Sequence, residues 1–261
     1  MSDQSSDQAS TEEPVILTER RGRVLLITLN RPDQMNALNG ALANGLKAAV
    51  DELDSDPGLT AGVLTGNGRG FSAGMDLKAF LKGEDISAFF NFVVEGTKKP
   101  LIGAIEGFAL AGGLELALTC DLLVAAKGVK LGIPEAARGL FAAAGGLYRL
   151  PSRVGYGKAM EMAITAEPIT AEEGFQYGLV SRLTEPGGAV EAALELAEKV
   201  AKNAPLSVAA SKQLVRAAVG ITEAEFWELQ KPFQAQVFTS NDSKEGPKAF
   251  AEKRAPEWTG T

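Results

Sequence analysis

The chain has 261 residues, room for one large domain or for one domain with an appended subdomain, and its 26 basic against 33 acidic side chains give a net charge of −7. That sign opposes binding to nucleic-acid phosphates or to anionic lipid, so neither a nucleic acid nor a membrane is expected as a partner. With no histidine and a single cysteine, Cys120, a Ser-His-Asp or Cys-His hydrolase, an HExxH protease and an ordinary zinc site are excluded, no metal is expected, and acid–base work falls to Glu, Asp, Lys or Tyr.

Residues 1–13, MSDQSSDQASTEE, are polar and acidic without an apolar or Arg-rich targeting pattern. They read as a disordered tail, and the expected location is cytoplasmic. Two β-branched and Leu-rich runs, 15–19 and 24–30, flank Arg21 and Gly22 and predict a hairpin. Behind Asn39, the residues Leu42, Leu46, Ala49 and Leu53 recur at helical spacing and predict an amphipathic helix over 40–54. A strand over 59–65 and helices around 76–82 and 86–97 follow. Buried strands over 101–105 and 122–126 then flank an apolar helix near 112–119. Glu106, Glu115 and Asp121 interrupt this apolar stretch, so it is no membrane span. The alternation predicts an α/β core over 14–188. From 189 to 261 the pattern becomes nearly continuous helix, at 189–202, 205–219, 222–238 and 242–253.

Several segments bear on chemistry. GNGRGFSAGMD (66–76) lies between a strand and a helix, but a dinucleotide fingerprint fails at Phe71, and a phosphate-loop spacing near Gly157 and Lys158 fails at Ser152 and Ala159. Taken alone, its glycines are a turn. Glu115 is the only charge between Glu106 and Asp121, on a helix apolar all round. An unpaired buried carboxylate costs several kcal/mol, so Glu115 is either hydrogen-bonded for structure or kept for chemistry. Gly112 and Gly113 open that helix, where free N–H groups serve either an oxyanion or close packing. Glu135, directly after Pro134, is by itself ordinary helix-start chemistry. Phe250 and Lys253, three apart, share one face of the last predicted helix, by itself an amphipathic surface turn.

The segments LNRPDQMNAL (29–38), GFSAGMD (70–76), EGFALAGGLELA (106–117), CDL (120–122), PE (134–135), GGLYRL (145–150) and EGPKAFAEKR (245–254) stand in one order and spacing. Together they resemble the crotonase (enoyl-CoA hydratase/isomerase) superfamily from about Pro14 onward. The resemblance implies an α/β fold, a spiral of ββα turns with a C-terminal helical trimerisation region, assembled as a homotrimer or a dimer of trimers. It implies an acyl-CoA thioester substrate and no cofactor, the CoA being part of the substrate. The oxyanion-hole N–H groups map onto Met75 and Gly112, and the acid–base carboxylates onto Glu115 and Glu135. Further substrate contacts map onto Asn36, Ala37, Ala73, Asp76, Leu77 and Ala143, with Phe250 and Lys253 reaching the CoA of a neighbouring subunit. The implied activity is that of an enoyl-CoA hydratase. The alternatives are a carnitinyl-CoA-type dehydratase, an enoyl-CoA isomerase, which often manages with one carboxylate, or a non-catalytic acyl-CoA-binding protein. Two features depart from the usual pattern: Ala142, Ala143 and Ala144 stand where Pro-Gly-Ala is common, and Met75 stands where alanine is frequent.

Overall fold

In the computed structural model, which describes residues 13–261, the chain opens with a hairpin of β1 (Ile16–Arg21) and β2 (Val24–Leu29), paired antiparallel. Except for Glu13, the expected tail over 1–13 lies outside the described residues. Asn39 caps α1 (Gly40–Ser55), its side chain accepting from the Leu42 N–H at 3.0 Å. Then come β3 (Ala61–Gly66), α2 (Leu77–Leu81), α3 (Ser87–Glu95), β4 (Leu101–Ile105), β5 (Phe108–Leu110), α4 (Gly112–Thr119) and β6 (Leu122–Ala126). The third quarter holds β7 (Lys130–Gly132), a 3-10 turn (Pro134–Arg138), α5 (Gly146–Val154), α6 (Tyr156–Thr165), β8 (Ile169–Thr170), α7 (Ala171–Tyr177) and β9 (Arg182–Thr184). Four helices close the chain: α8 (Ala189–Ala201), α9 (Pro205–Ala218), α10 (Glu223–Thr239) and α11 (Asp242–Glu252).

The main sheet runs β1-β2-β3-β4-β6-β9, parallel from β2 onward, and a small second sheet runs β5-β7-β8. Strand alternation divides the core in two. Leu25, Ile27 and Leu29 point to the side packed by Leu42, Leu46 and Leu53 of α1, Phe89 and Phe92 of α3, and Leu114 and Leu118 of α4. Val24, Leu26, Val63, Ile102 and Val124 point to the other side, where Ala189, Ala193 and Ala197 of α8 lie four apart along one stripe. The small side chains let α8 lie close on the sheet, so the first helix of the C-terminal run covers the α/β core. The next three behave differently: α9 and α11 both pack on α10, which has no buried residue. Lys212 pins α9 to the core, pairing with Asp121 at 2.9 Å and donating to the Lys99 carbonyl at 2.8 Å.

The last predicted helix is corrected at its end. It stops at Glu252, and Lys253 is its left-handed cap with φ +55°. Helical spacing therefore does not extend to Lys253, and the single face expected for Phe250 and Lys253 is broken there. The elements of the small sheet, with α5, α6, α7 and β9, were not expected. Strands of two or three residues are too short to show a period, and Pro151 sits inside α5.

Candidate active site

The loop after β3 is tied down by one amide. Asn36, fully buried, accepts from the Arg31 N–H at 2.8 Å and donates to the carbonyls of Asn67 at 2.9 Å and Gly70 at 3.0 Å. The Ser72 hydroxyl donates to the Asn36 carbonyl at 2.8 Å and accepts from the Gly74 N–H at 3.2 Å. Leu38 then brackets Met75 on both sides: its N–H donates to the Gly74 carbonyl, and its carbonyl accepts from the Asp76 N–H. Met75 sits between these bonds and is left out of them. Gly74 has φ +94°, and a Cβ there would lie 2.7 Å from the Ala111 Cβ and 2.9 Å from the Gly112 nitrogen. Only glycine lets this turn approach the start of α4 so closely. The N–H groups of Met75 and Gly112 donate to no backbone acceptor among the described residues. A Cβ placed on Gly112 would be 3.7 Å from the Met75 nitrogen, so both donors belong to one small site. Gly112 is the first residue of α4, where the helix leaves N–H groups unmatched and its dipole is positive.

Glu115 lies one turn further along α4 and is 3% exposed. Its Oε1 accepts from the Ala144 N–H at 2.7 Å and the Gly146 N–H at 2.9 Å. A Cβ on Gly146 would stand 3.0 Å from that same oxygen, so the glycine makes room for the carboxylate. Burial holds the Glu115 pKa above the usual carboxylate value, and the two amides and the Arg149 charge offset only part of that rise. Donors aimed at the oxygen favour the ionised form, the form a base needs. Glu135, in the 3-10 turn, has a different setting. Its Oε2 is buried with no hydrogen-bond partner among the described residues, and its pKa is pushed up to about 7, chiefly by burial and further by the Glu115 charge. Such a group holds a proton near neutral pH and suits an acid.

The sequence profile of the enoyl-CoA hydratase/isomerase family matches residues 19–261. The chain belongs to this family. Enoyl-CoA hydratase EchA19 of Mycobacterium tuberculosis is 39% identical over 254 residues, covering 93% of this chain and 96% of that relative. The mitochondrial enoyl-CoA hydratase of Pongo abelii is 40% identical over 248 residues, covering 92% and 86%. A crystal structure of enoyl-CoA hydratase from Mycobacterium tuberculosis H37Rv superposes with a TM-score of 0.92 at 49% identity, over 95% of this chain and 100% of that one. The mixed α/β fold with its C-terminal helices is thus the crotonase fold.

Within this hydratase/isomerase frame, the remaining expected positions fall into three groups. Asn36, Ala37, Ala73, Asp76 and Leu77 surround the Met75 turn. Ala37 offers its carbonyl to the Arg31 guanidinium, and Ala73 donates its N–H to Met35 at 3.0 Å. The Asp76 carboxylate caps α2 through the N–H groups of Lys78 and Ala79 and pairs with Arg31 at 3.2 Å. The side chains of Asn36 and Asp76 are thereby spent on the loop itself, whereas Leu77 is half exposed. Ala143 is exposed in the loop that feeds N–H groups to Glu115, between the buried Ala142 and Ala144. Phe250, 86% exposed, stands on α11 and Lys253 caps that helix, which packs on α10.

One part of the site was not anticipated. A cavity of about 390 Å³ opens beside Glu135, walled by apolar residues of the 3-10 turn, the loop after it, α5 and α6, among them Leu140, Phe141, Leu147, Tyr156 and Met160. The signal was present in 156–165, where Ala159 and Met162 face the core while Tyr156, Met160 and Ile164 are also apolar but exposed. A helix apolar on its outer face has something to cover it. No three Cys, Asp or Glu side chains among the described residues gather in a metal-binding cluster.

Proposed function

We infer that the chain is an enoyl-CoA hydratase, which adds water across the double bond of a 2-enoyl-CoA to give a 3-hydroxyacyl-CoA. The observation that carries this is the pairing of two carboxylates in unequal settings, Glu115 held by two amides and Glu135 buried and unpartnered, beside the unpaired N–H groups of Met75 and Gly112. Addition of water drives negative charge onto the thioester oxygen. Two fixed N–H groups there stabilise the developing enolate by about 3 kcal/mol each. Glu115 takes a proton from water, the hydroxide oxygen bonds to the β-carbon, and Glu135 gives its proton to the α-carbon. One oxygen and two protons are placed, and proton return from Glu115 to Glu135 restores the pair. Both carboxylates have a task, which favours hydration over an isomerisation that moves a single proton, and over silent binding.

The acyl group beyond the β-carbon enters the apolar cavity beside Glu135. No cofactor is needed, since the CoA arrives with the substrate. Val215, Trp227 and Phe238 on α9 and α10, and Val219 at the end of α9, are exposed, too much apolar surface for a free helical face. Their exposure supports a homotrimer or a dimer of trimers that would cover them, in which Lys253 meets the CoA of a neighbouring subunit. No described helix is long and apolar enough to cross a membrane, and the proposed location is the cytoplasm.

The test is a panel of 2-enoyl-CoA thioesters of increasing chain length together with carnitinyl-CoA, followed by the conjugated-thioester absorbance. Loss of absorbance with enoyl substrates and water incorporation at the β-carbon are expected. Turnover of carnitinyl-CoA alone would assign the dehydratase instead, and binding without turnover the silent acyl-CoA-binding protein.

A further inference from the structure

Arg149 lies on α5, three residues beyond Gly146, and is half buried. Its guanidinium donates to two carbonyls. One is that of Ala144, at 3.3 Å, in the loop whose N–H groups hold Glu115. The other is that of Val93, in the last turn of α3, where helix carbonyls are left unmatched. Gly145, between the two N–H donors Ala144 and Gly146, has φ +93°, and a Cβ on it would collide with this guanidinium. The positive φ suits glycine, and the guanidinium lies over the space a side chain there would take. Among the described residues Arg149 makes no ion pair, and neither does Glu115.

We propose that Arg149 is a positioning residue for the Glu115 carboxylate, fastening the 144–146 loop to the end of α3 and holding an unpaired positive charge behind it. The proposal rests on the hydratase reading for its kinetic consequences, but not for its effect on Glu115 itself. The charged and titratable groups around this pair have separate duties. Arg153 on α5 donates to the carbonyls of Leu118 and Cys120 at 3.3 and 2.8 Å. Arg216 on α9 donates to those of Val94 and Glu95, both at 3.1 Å, and so closes the same end of α3 without touching the 144–146 loop. Tyr148 neighbours Arg149 on α5, and Glu135 faces Glu115 from the 3-10 turn. Arg149 is the cation whose charge acts on Glu115 and favours its ionised form.

The experiment compares Arg149→Met, Arg149→Lys and Arg216→Ala in the full chain. It uses kcat and KM against pH for an enoyl-CoA turned over by the wild type, and a ¹³C-carboxyl titration of Glu115 without substrate, assigned with Glu115→Gln. Arg149→Met should lower kcat about tenfold to a hundredfold with KM nearly unchanged, and move both the acidic limb of kcat and the Glu115 titration to higher pH. Arg149→Lys, which keeps the charge but not the fork, should return the limb toward its wild-type position with kcat only partly restored. Arg216→Ala should move neither. An unmoved Glu115 titration in folded Arg149→Met, or an equal shift in Arg216→Ala, overturns the proposal. If Arg149→Met does not fold, full wild-type kcat in Arg149→Lys overturns it. A wild type inactive on every enoyl-CoA would sink the hydratase reading, while the titration would still decide the role of Arg149.

Discussion

Glu115 and Glu135 show at the scale of single residues how one kind of side chain comes to sit in two settings that suit the two proposed roles. Glu115→Gln and Glu135→Gln should each lower kcat for hydration by about two to four orders of magnitude with substrate binding retained, checked by steady-state kinetics and by binding of the 3-hydroxyacyl product. Glu135 also bears on stability. In the unfolded chain it ionises near 4.5, in the fold near 7, so between those values the unfolded chain has lost a proton that the folded one keeps. Its contribution to stability therefore falls as pH rises from about 4.5 to about 7, and the penalty persists above that. Glu135→Gln should raise the thermal midpoint relative to wild type above neutral pH, and the difference should vanish below about pH 4.5. A midpoint difference independent of pH would show that Glu135 carries no such penalty. From the sequence, a lone charge on an apolar helix marked Glu115, but nothing local distinguished Glu135 from a capping residue after Pro134. The family resemblance pointed to it, and its unpartnered, buried oxygen gives the physical reason.

Glycine decides the outcome at the scale of elements. Gly74 and Gly146 are the places where a turn meets the start of α4 and where a helix start meets Glu115, and at both a Cβ would fall within 3.0 Å of its neighbours. Gly146→Ala should displace Glu115, costing about 1–3 kcal/mol of stability and more in kcat than in KM, as seen by denaturant melts beside kinetics. Met75→Pro removes an N–H that bonds to no backbone acceptor among the described residues. A folded proline variant should therefore lose activity, whereas Met75→Ala should stay mild. Activity in a folded Met75→Pro chain would take Met75 out of the oxyanion hole. The long elements were legible because their apolar spacing spans several turns or a full strand. The small sheet and α5 to α7 were not, because their order comes from contacts made after the chain has folded back on itself.

For the whole molecule, the surface left bare on α9, α10 and α11 points to association. Placing a glutamate at Val219 or Phe238, both well exposed, should convert an assembly to monomers, read by light scattering, while the far-UV signal of the subunit is kept. Lys253→Ala should raise KM for an acyl-CoA several-fold and leave that for the matching acyl-pantetheine unchanged. An equal effect on both substrates would mean that Lys253 acts through folding or assembly.

Composition and motif order alone determined the absence of histidine chemistry, the alternation of strand and helix, the family, and the candidacy of Met75, Gly112, Glu115 and Glu135. Those are properties of residue type and of short-range spacing, which the linear chain carries unaltered. Three things were decided only by tertiary structure: the unequal environments of the two carboxylates, the apolar cavity between the 3-10 turn and α6, and the link from α3 through Arg149 to the loop that holds Glu115. Each depends on burial and on contacts between residues far apart in the chain, as Val93 and Arg149 are. The desolvation and hydrogen bonding that set charge and position at such points exist only once those segments have met.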